Sequence, residues 1–223
     1  MDVQGHAIAV PADAPPGEYR LELEVRTPAG SARAATRPVR LVGTPDPAGP
    51  LAPAARDRRY LADPAGRPVF LLGHNLGWLL SPTGTRAWAA ALERMRRAGL
   101  NYARVWQATW SLALESPRPY DYDLEAAWRL ERVLEEARAR GIHVQLCLDN
   151  FHDFTRNRDK SPYFAGAGAP CKTTRDFFTS AKALEMYRAR LRYLVARYGR
   201  FPNLLAWELW NELDYCVDKS DPA

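Results

Sequence analysis

Two hydrophobic periodicities divide the chain. Up to Arg26 the period is two: Tyr19, Leu21, Leu23 and Val25 alternate with Glu18, Arg20, Glu22, Glu24 and Arg26, the spacing of a half-buried strand. Thr27-Pro28-Ala29-Gly30 then marks a turn, and residues 31–43 read as a weaker second strand. Two strands and one hairpin cannot bury a core alone. This segment, residues 1–45, is therefore expected to be the tail of a β-sandwich, or a hairpin docked on the larger domain C-terminal to it. Residues 46–56 are read as a linker within the Pro/Ala/Gly stretch TPDPAGPLAPAAR, and residues 57–223 as the main domain.

From Val69 onward, strand-like and helix-like segments alternate. The expected strands are Val69–Gly73, Tyr102–Trp106, Val144–Asp149 and Leu204–Glu208, short and nearly continuously apolar, as when both faces are covered. The first expected helix runs over 85–98, with Trp88, Leu92 and Met95 at helical spacing and Gly99 just past its end. The second runs over 124–140, with Asp123 as N-cap, Gly141 as terminator, and Leu124, Trp128, Leu130, Leu134 and Ala137 near one stripe. In the third, Leu184, Tyr187, Leu191, Leu194 and Tyr198 step by three and four. Trp88, Trp128, Tyr187 and Tyr198 are all expected in the core. Such repeats mean βαβ units and a parallel sheet, either doubly wound or a (β/α)8 barrel. The first strand is followed by Gly-His-Asn-Leu-Gly-Trp, not a Gly-rich phosphate loop, which favours the barrel.

Composition adds exclusions. At 223 residues, 47% apolar and 26% charged, the chain is ordinary globular material. No window approaches 18 consecutive apolar residues, so no transmembrane helix and no membrane partner are expected. The net charge of +5 invites a nucleic-acid reading, but the arginines are scattered and read as solvated helix faces, so no nucleic-acid partner is expected. Cys147, Cys171 and Cys216 are too few for a disulfide framework or a zinc site, although one pair could bridge in an oxidising compartment. No His-x-His or His-Glu pair stands at ligand spacing, so neither metal nor cofactor is expected. The first twenty residues lack a basic segment followed by an apolar one, so no signal peptide is expected, and the chain is read as starting within a longer protein.

In a barrel, chemistry gathers at the C-terminal ends of the strands. There the sequence places His74, Asn75 and Trp78; Arg104, Trp106 and Trp110; Asp149, Asn150, Phe151, His152 and Asp153; and Trp210, Asn211 and Glu212. Rings beside amides, an arginine and carboxylates suit a sugar, whose C–H faces stack on aromatics while its hydroxyls need donors and acceptors.

The segment Pro202-Asn203-Leu204-Leu205-Ala206-Trp207-Glu208-Leu209-Trp210-Asn211-Glu212 resembles the fourth-strand motif of retaining (β/α)8 glycosidases, most closely family 5 enzymes of the endo-β-mannanase and cellulase type. GRPVFLLGHNLGW, GLNYARVW and VQLCLDNFHDF resemble the first three strands in order, and DFFTSAKALEMYRARLRYLVARYGRFPN the third helix of the mannanase-like branch. The resemblance spans roughly residues 57–214. It implies a (β/α)8 barrel, of which the chain carries about the first four βα units, and secretion of the full-length protein.

It further implies Glu212 as acid/base, Asn211 on the sugar 2-hydroxyl, and Arg104 ordering the second catalytic carboxylate. His74, Asn75, Trp106, Asn150, His152 and Trp210 are implied as substrate-binding. Arg104, inside an apolar strand, needs a buried partner in any case, as a site arginine or a structural ion pair. Trp78, Trp106 and Trp110 fit sugar platforms or packing under loops equally. Leu213 stands where the family commonly has Pro. The nucleophile is implied to end a seventh strand that this chain does not contain, and the missing half of the barrel is the expected partner. The expected activity is thus hydrolysis of β-linked polysaccharide, mannan or glucan, by double displacement; the alternative is a catalytically inactive carbohydrate-binding remnant.

Overall fold

The computed structural model describes residues 15, 17–20, 22–28, 30–35, 37–41, 48–79, 84–115, 117–166 and 168–216. They fall into two units, one within residues 7–46 and one within residues 47–223.

In the first unit, β1 (Gly17–Tyr19) pairs antiparallel with β4 (Val39–Leu41), and β2 (Glu22–Thr27) pairs with β3 (Gly30–Ala35). The β2–β3 hairpin closes at Thr27 and Gly30, on the expected turn. The two long strands expected here are each divided, because β1 turns from the hairpin to a different partner, β4. Glu24 accepts from Arg26 (2.8 Å) and Arg33 (3.1 Å), which holds its carboxyl below the usual range.

The second unit opens with a small antiparallel sheet of β5 (Ala52–Pro53), β6 (Leu61–Ala62) and β7 (Pro68–Val69). Asp63 builds its turn, accepting from the Ala65 and Arg67 amides at 3.0 and 2.9 Å. Two expectations change here. Ala52–Pro53, placed in the linker, is a strand, and Val69, placed in the first barrel strand, pairs with Leu61 instead. The first parallel strand, β8, is Gly73–Gly77. Its register is set by Asn101, whose side chain accepts from the Leu72 amide (2.8 Å) and donates to the Phe70 carbonyl (2.9 Å). As an edge strand with exposed Gly73, His74 and Asn75, β8 carries no apolar pattern to read.

Then follow α1 (Gly84–Arg97), β9 (Tyr102–Trp106), α2 (Leu124–Arg138), β10 (His143–Asn150), the short α3 (Phe151–Thr155) and α4 (Thr174–Thr179), α5 (Ala181–Tyr198) and β11 (Leu204–Asn211). The sheet order is β8-β9-β10-β11, parallel throughout. Spatial order equal to chain order separates the two candidate folds. A doubly wound sheet reverses direction at a switch point, and a barrel does not.

Local signals set the helix ends. Asp123 caps α2 by accepting from the Glu125 and Ala126 amides at 2.8 and 2.9 Å. Gly99 and Gly141 follow α1 and α2 with φ of +75° and +69°, where a side chain would be strained. Between helices and sheet lies one apolar layer. It is built from Trp88, Leu92 and Met95 of α1, Ala103 and Val105 of β9, Leu130, Val133 and Leu134 of α2, Val144, Leu146 and Leu148 of β10, and Leu194 and Tyr198 of α5.

Two stripes differ from expectation by about one residue. On α2 the buried line is Ala126, Ala127, Leu130, Val133, Leu134 and Ala137, so Trp128 is 51% exposed and not core. On α5 the buried line is Ala183, Met186, Arg190, Leu194 and Tyr198, which puts an arginine where Leu191 was expected and leaves Tyr187 only partly buried. Among the described residues, no helix is long and apolar enough to cross a membrane.

Candidate active site

Strand alternation sorts the side chains of the parallel sheet. Ala103 and Val105 enter the helix-side core, so Tyr102 and Arg104 belong to the other face. Across β10 and β11 the partners on that face are polar too. Arg104 donates through Nε to Glu208 Oε2 at 2.7 Å and through Nη2 to Glu208 Oε1, a two-pronged pairing. Gln145 Nε2 donates to the same Oε2 at 2.6 Å, and the Tyr102 hydroxyl donates to Gln145 Oε1 at 2.6 Å. Burial alone would raise Glu208, but the Arg104 and Gln145 donors outweigh it and hold the carboxyl below its ordinary range. The Glu208 pairing in turn raises Arg104.

The network continues to the strand end. Arg104 Nη2 also donates to Asn211 Oδ1 at 2.8 Å, and Asn211 Nδ2 donates to Glu212 Oε2 at 3.1 Å. Asn211 is buried whereas Glu212 is exposed. Glu212 has φ +54°, a left-handed backbone rarely adopted by non-glycine residues and found at sites that must aim a side chain. Arg104 Nη1 reaches Asn75 Oδ1 at 3.5 Å, and the guanidinium lies over the Trp106 ring at 4.9 Å.

Rings continue from Trp106. Trp78 packs on Trp106 and Trp110 at 4.8 and 5.5 Å, Trp110 meets His152 at 5.6 Å, and His152 meets Phe151 at 3.8 Å. They come from the segments following β8, β9 and β10, and present one aromatic run beside the polar centre.

Thus the fold brings together Glu212, Asn211, Arg104, Asn75, Trp106 and, by way of the rings, His152. Three other expected residues stand elsewhere. His74 pairs in register with Ala103, on the opposite side of the sheet from Arg104. Asn150 is fully buried and caps α3, accepting from the Asp153 amide (3.2 Å) and donating to Asp153 Oδ2 (2.9 Å), so it holds a loop and does not offer its amide to a sugar. Trp210, partly buried, packs on Phe154 and Phe177 at 4.2 and 5.5 Å and donates to Cys216 Sγ at 3.2 Å, so it leans on the second apolar cluster. Asp153 also accepts from the Thr109 amide and hydroxyl at 3.1 and 2.6 Å, tying two loops together.

Reading the sequence did not single out Gln145 and Tyr102, and it set Glu208 aside. Their signal was polarity at alternate positions inside apolar strands. A second cluster, centred on Arg190, was not read from the sequence, although Asp149 and Tyr187 were singled out separately. Arg190 of α5 donates to Asp149 Oδ1 (2.6 Å), the Leu148 carbonyl (2.7 Å) and Gln107 Oε1 (3.2 Å), and lies 3.4 Å from Glu115. Tyr187 donates to Asp149 Oδ2 at 2.9 Å. Arg190, Asp149, Gln107 and Glu115, with Tyr163 and Ser161, line a cavity of about 40 Å³. The three cysteines are buried free thiols. Among the described residues, no group of three His, Cys, Asp or Glu side chains could hold a metal ion.

Comparison with known proteins agrees with the strand-end motifs. Residues 82–221 match the family described as Beta-galactosidase, glycosyl hydrolase family 42. Mannan endo-1,4-beta-mannosidase 3 of Oryza sativa subsp. japonica is 33% identical over 163 residues, covering 66% of this chain and 34% of the relative. Mannan endo-1,4-beta-mannosidase A of Podospora anserina is 27% identical, covering 69% of this chain and 43% of that one. Among solved structures, the exo-beta-1,4-mannosidase from Opitutaceae bacterium strain TAV5 has a TM-score of 0.53 at 25% identity, covering 70% of this chain and 27% of that one. The beta-1,4-D-mannanase from Cryptopygus antarcticus has a TM-score of 0.54 at 19% identity, covering 78% and 46%. The chain spans 34–43% of the length of these two sequence relatives. Its parallel sheet is the first four βα units of a (β/α)8 barrel.

Proposed function

The chain belongs to the Beta-galactosidase family of glycoside hydrolases and is a family 5-like glycosidase by its relatives; from that premise we propose that it supplies the acid/base half of a retaining enzyme that cleaves β-1,4-linked mannose polymers outside the cell. The observation that carries this reading is the Arg104 centre, which turns the Asn211 amide toward an exposed carboxylate, Glu212, at the end of the fourth barrel strand. In the first step Glu212 gives its proton to the leaving glycosidic oxygen as the C1–O bond breaks, and a second carboxylate bonds to C1. In the second step water attacks C1, Glu212 takes the proton of that water, and the carboxylate departs with its bonding pair. Asn211 Nδ2 would donate to the sugar 2-hydroxyl, and Trp78, Trp106 and Trp110 offer faces for sugar C–H groups.

The second carboxylate does not come from this sheet. Glu208 has both oxygens committed to Arg104 and Gln145, whereas double displacement needs a free carboxylate about 5–5.5 Å from the first. Asp149 is committed to Arg190 and Tyr187. A seventh-strand carboxylate, as the family resemblance implies, fills the role. Mannose is favoured over glucose because both sequence relatives and the Opitutaceae structure are named for mannosidases. A polymer too large to enter a cell favours an extracellular site.

The test assays the full-length protein on mannan, glucan, β-galactosides and activated aryl β-mannosides. Glu212→Gln is expected to lower turnover on mannan by roughly 10²–10⁴-fold. The glycosylation step on aryl substrates with good leaving groups, which need little protonation, should be spared. Equal loss on both substrate types with the fold intact would remove the acid/base assignment, and mannan binding without turnover in the wild type would point to a carbohydrate-binding remnant. Residues 1–223 alone should show no turnover.

A further inference from the structure

We propose that Glu208 is a positioning residue of the active site, acting through Arg104 to fix which end of the Asn211 amide faces the substrate; this rests on the glycosidase reading above. The Glu208 carboxylate accepts three donors, Arg104 Nε (2.7 Å), Arg104 Nη2 and Gln145 Nε2 (2.6 Å), a load that an ionised carboxylate can carry and a neutral amide cannot. Gln145 keeps its NH2 toward Glu208, because a carboxylate only accepts, and its oxygen then takes the Tyr102 hydroxyl proton at 2.6 Å. The guanidinium is thereby fixed along its Nε–Nη2 edge and over the Trp106 face.

Fixing that edge aims the second Nη2 hydrogen at Asn211 Oδ1, 2.8 Å away. With its oxygen taken, Asn211 can turn only its NH2 group outward, and that group meets Glu212 Oε2 at 3.1 Å. The site therefore receives a donor from Asn211 and not an acceptor. Among the described residues, the other guanidinium nitrogen, Nη1, has only the 3.5 Å approach to Asn75. It is left to serve a group on the open side of the sheet. Glu208 itself cannot touch the reacting atoms from four residues below the strand end. Its effect has to pass through Arg104.

The experiment uses the full-length protein with three variants: Glu208→Gln, Arg104→Met and the double substitution. Loss of orientation should lower kcat on mannan by roughly 100-fold in Glu208→Gln, with KM changed far less. The decisive readout is coupling. Glu208→Gln should cost less than about twofold further in the Arg104→Met background, because contacting residues that act in series are not additive. Losses that multiply would show that Glu208 does not act through Arg104, and that result overturns the proposal.

A second readout is independent of turnover. With 15N-labelled asparagine, the Asn211 side-chain NH2 pair should be protected from exchange in the wild type and lose that protection in Glu208→Gln and Arg104→Met alike. An Asn211 signal unchanged in Glu208→Gln refutes the inference whatever the activity. The expected change in that signal, in a wild type inactive on every β-glycan, would overturn the glycosidase reading alone. Should Glu208→Gln not fold, Gln145→Met, which removes one of the two donors on Glu208 Oε2, should move both readouts the same way by a smaller amount. No movement in either would refute the proposal.

Discussion

Two arginines, Arg104 on β9 and Arg190 on α5, anchor charge networks at the parallel sheet, and they are used in opposite ways. Arg104 and Glu208 keep about a fifth of each side chain accessible (19% and 20%), whereas Arg190, Asp149 and Glu115 are nearly sealed at 7%, 7% and 9%. Arg104 meets one carboxylate and two amides and keeps Nη1 in reserve. Arg190 lies between two carboxylates and also serves a backbone carbonyl and Gln107. At the first centre hydrogen bonding outweighs burial, and Glu208 is held below its ordinary range. At the second burial dominates, and Glu115 is pushed up to about 7 despite the facing arginine. A charge network built for ligand leaves a donor free and stays wet enough to remain ionised. One built to join loops, here residues 107–115 and 160–163 with β10 and α5, closes on itself.

Breaking the sealed centre should have the largest effect on stability. Arg190→Met strands the buried Asp149 charge, an expected loss of about 3–5 kcal/mol in chemical denaturation; a loss below about 1 kcal/mol would show that Asp149 finds water. Glu115 gives that centre a pH signature. Its folded pKa lies above the ordinary carboxylate value of 4.5, so its stabilising contribution is complete below that value and is lost as pH rises to about 7. The slope across that window is at most about 1.4 kcal/mol per pH unit. Unfolding curves of Glu115→Gln, measured at successive pH values, should lack that decline, and an identical decline in variant and wild type would assign it to another group.

Tyr187→Phe removes one donor to the charged Asp149 and should cost about 1.5–3 kcal/mol by the same method. The open centre should be the least sensitive in stability. Arg104→Met is expected to cost about 1 kcal/mol or less, since water reaches both partners, while kcat on mannan in the full-length protein falls by roughly 100-fold. A stability loss matching that of Arg190→Met would erase the contrast between the two arginines.

The alternation of strands and helices, the Asp123 cap, the glycines ending α1 and α2, and the clustering of polar and aromatic residues at strand ends were all determined by the sequence itself. Each rests on a local rule, a period of two or 3.6 or a backbone conformation that one residue tolerates. Tertiary structure decided the rest. Glu208 was legible only as a carboxylate inside a strand, because its partner stands 104 residues away and meets it only through the registers of β9, β10 and β11. Arg190 lies off the stripe of Leu184, Tyr187, Leu191, Leu194 and Tyr198, and only the packing of α5 turned the buried line onto it. Trp128 and Trp88 were both expected in the core, yet one is half in water and the other is buried. A helix or strand places its residues relative to one another, but which of its faces is covered depends on the neighbours against which it comes to rest.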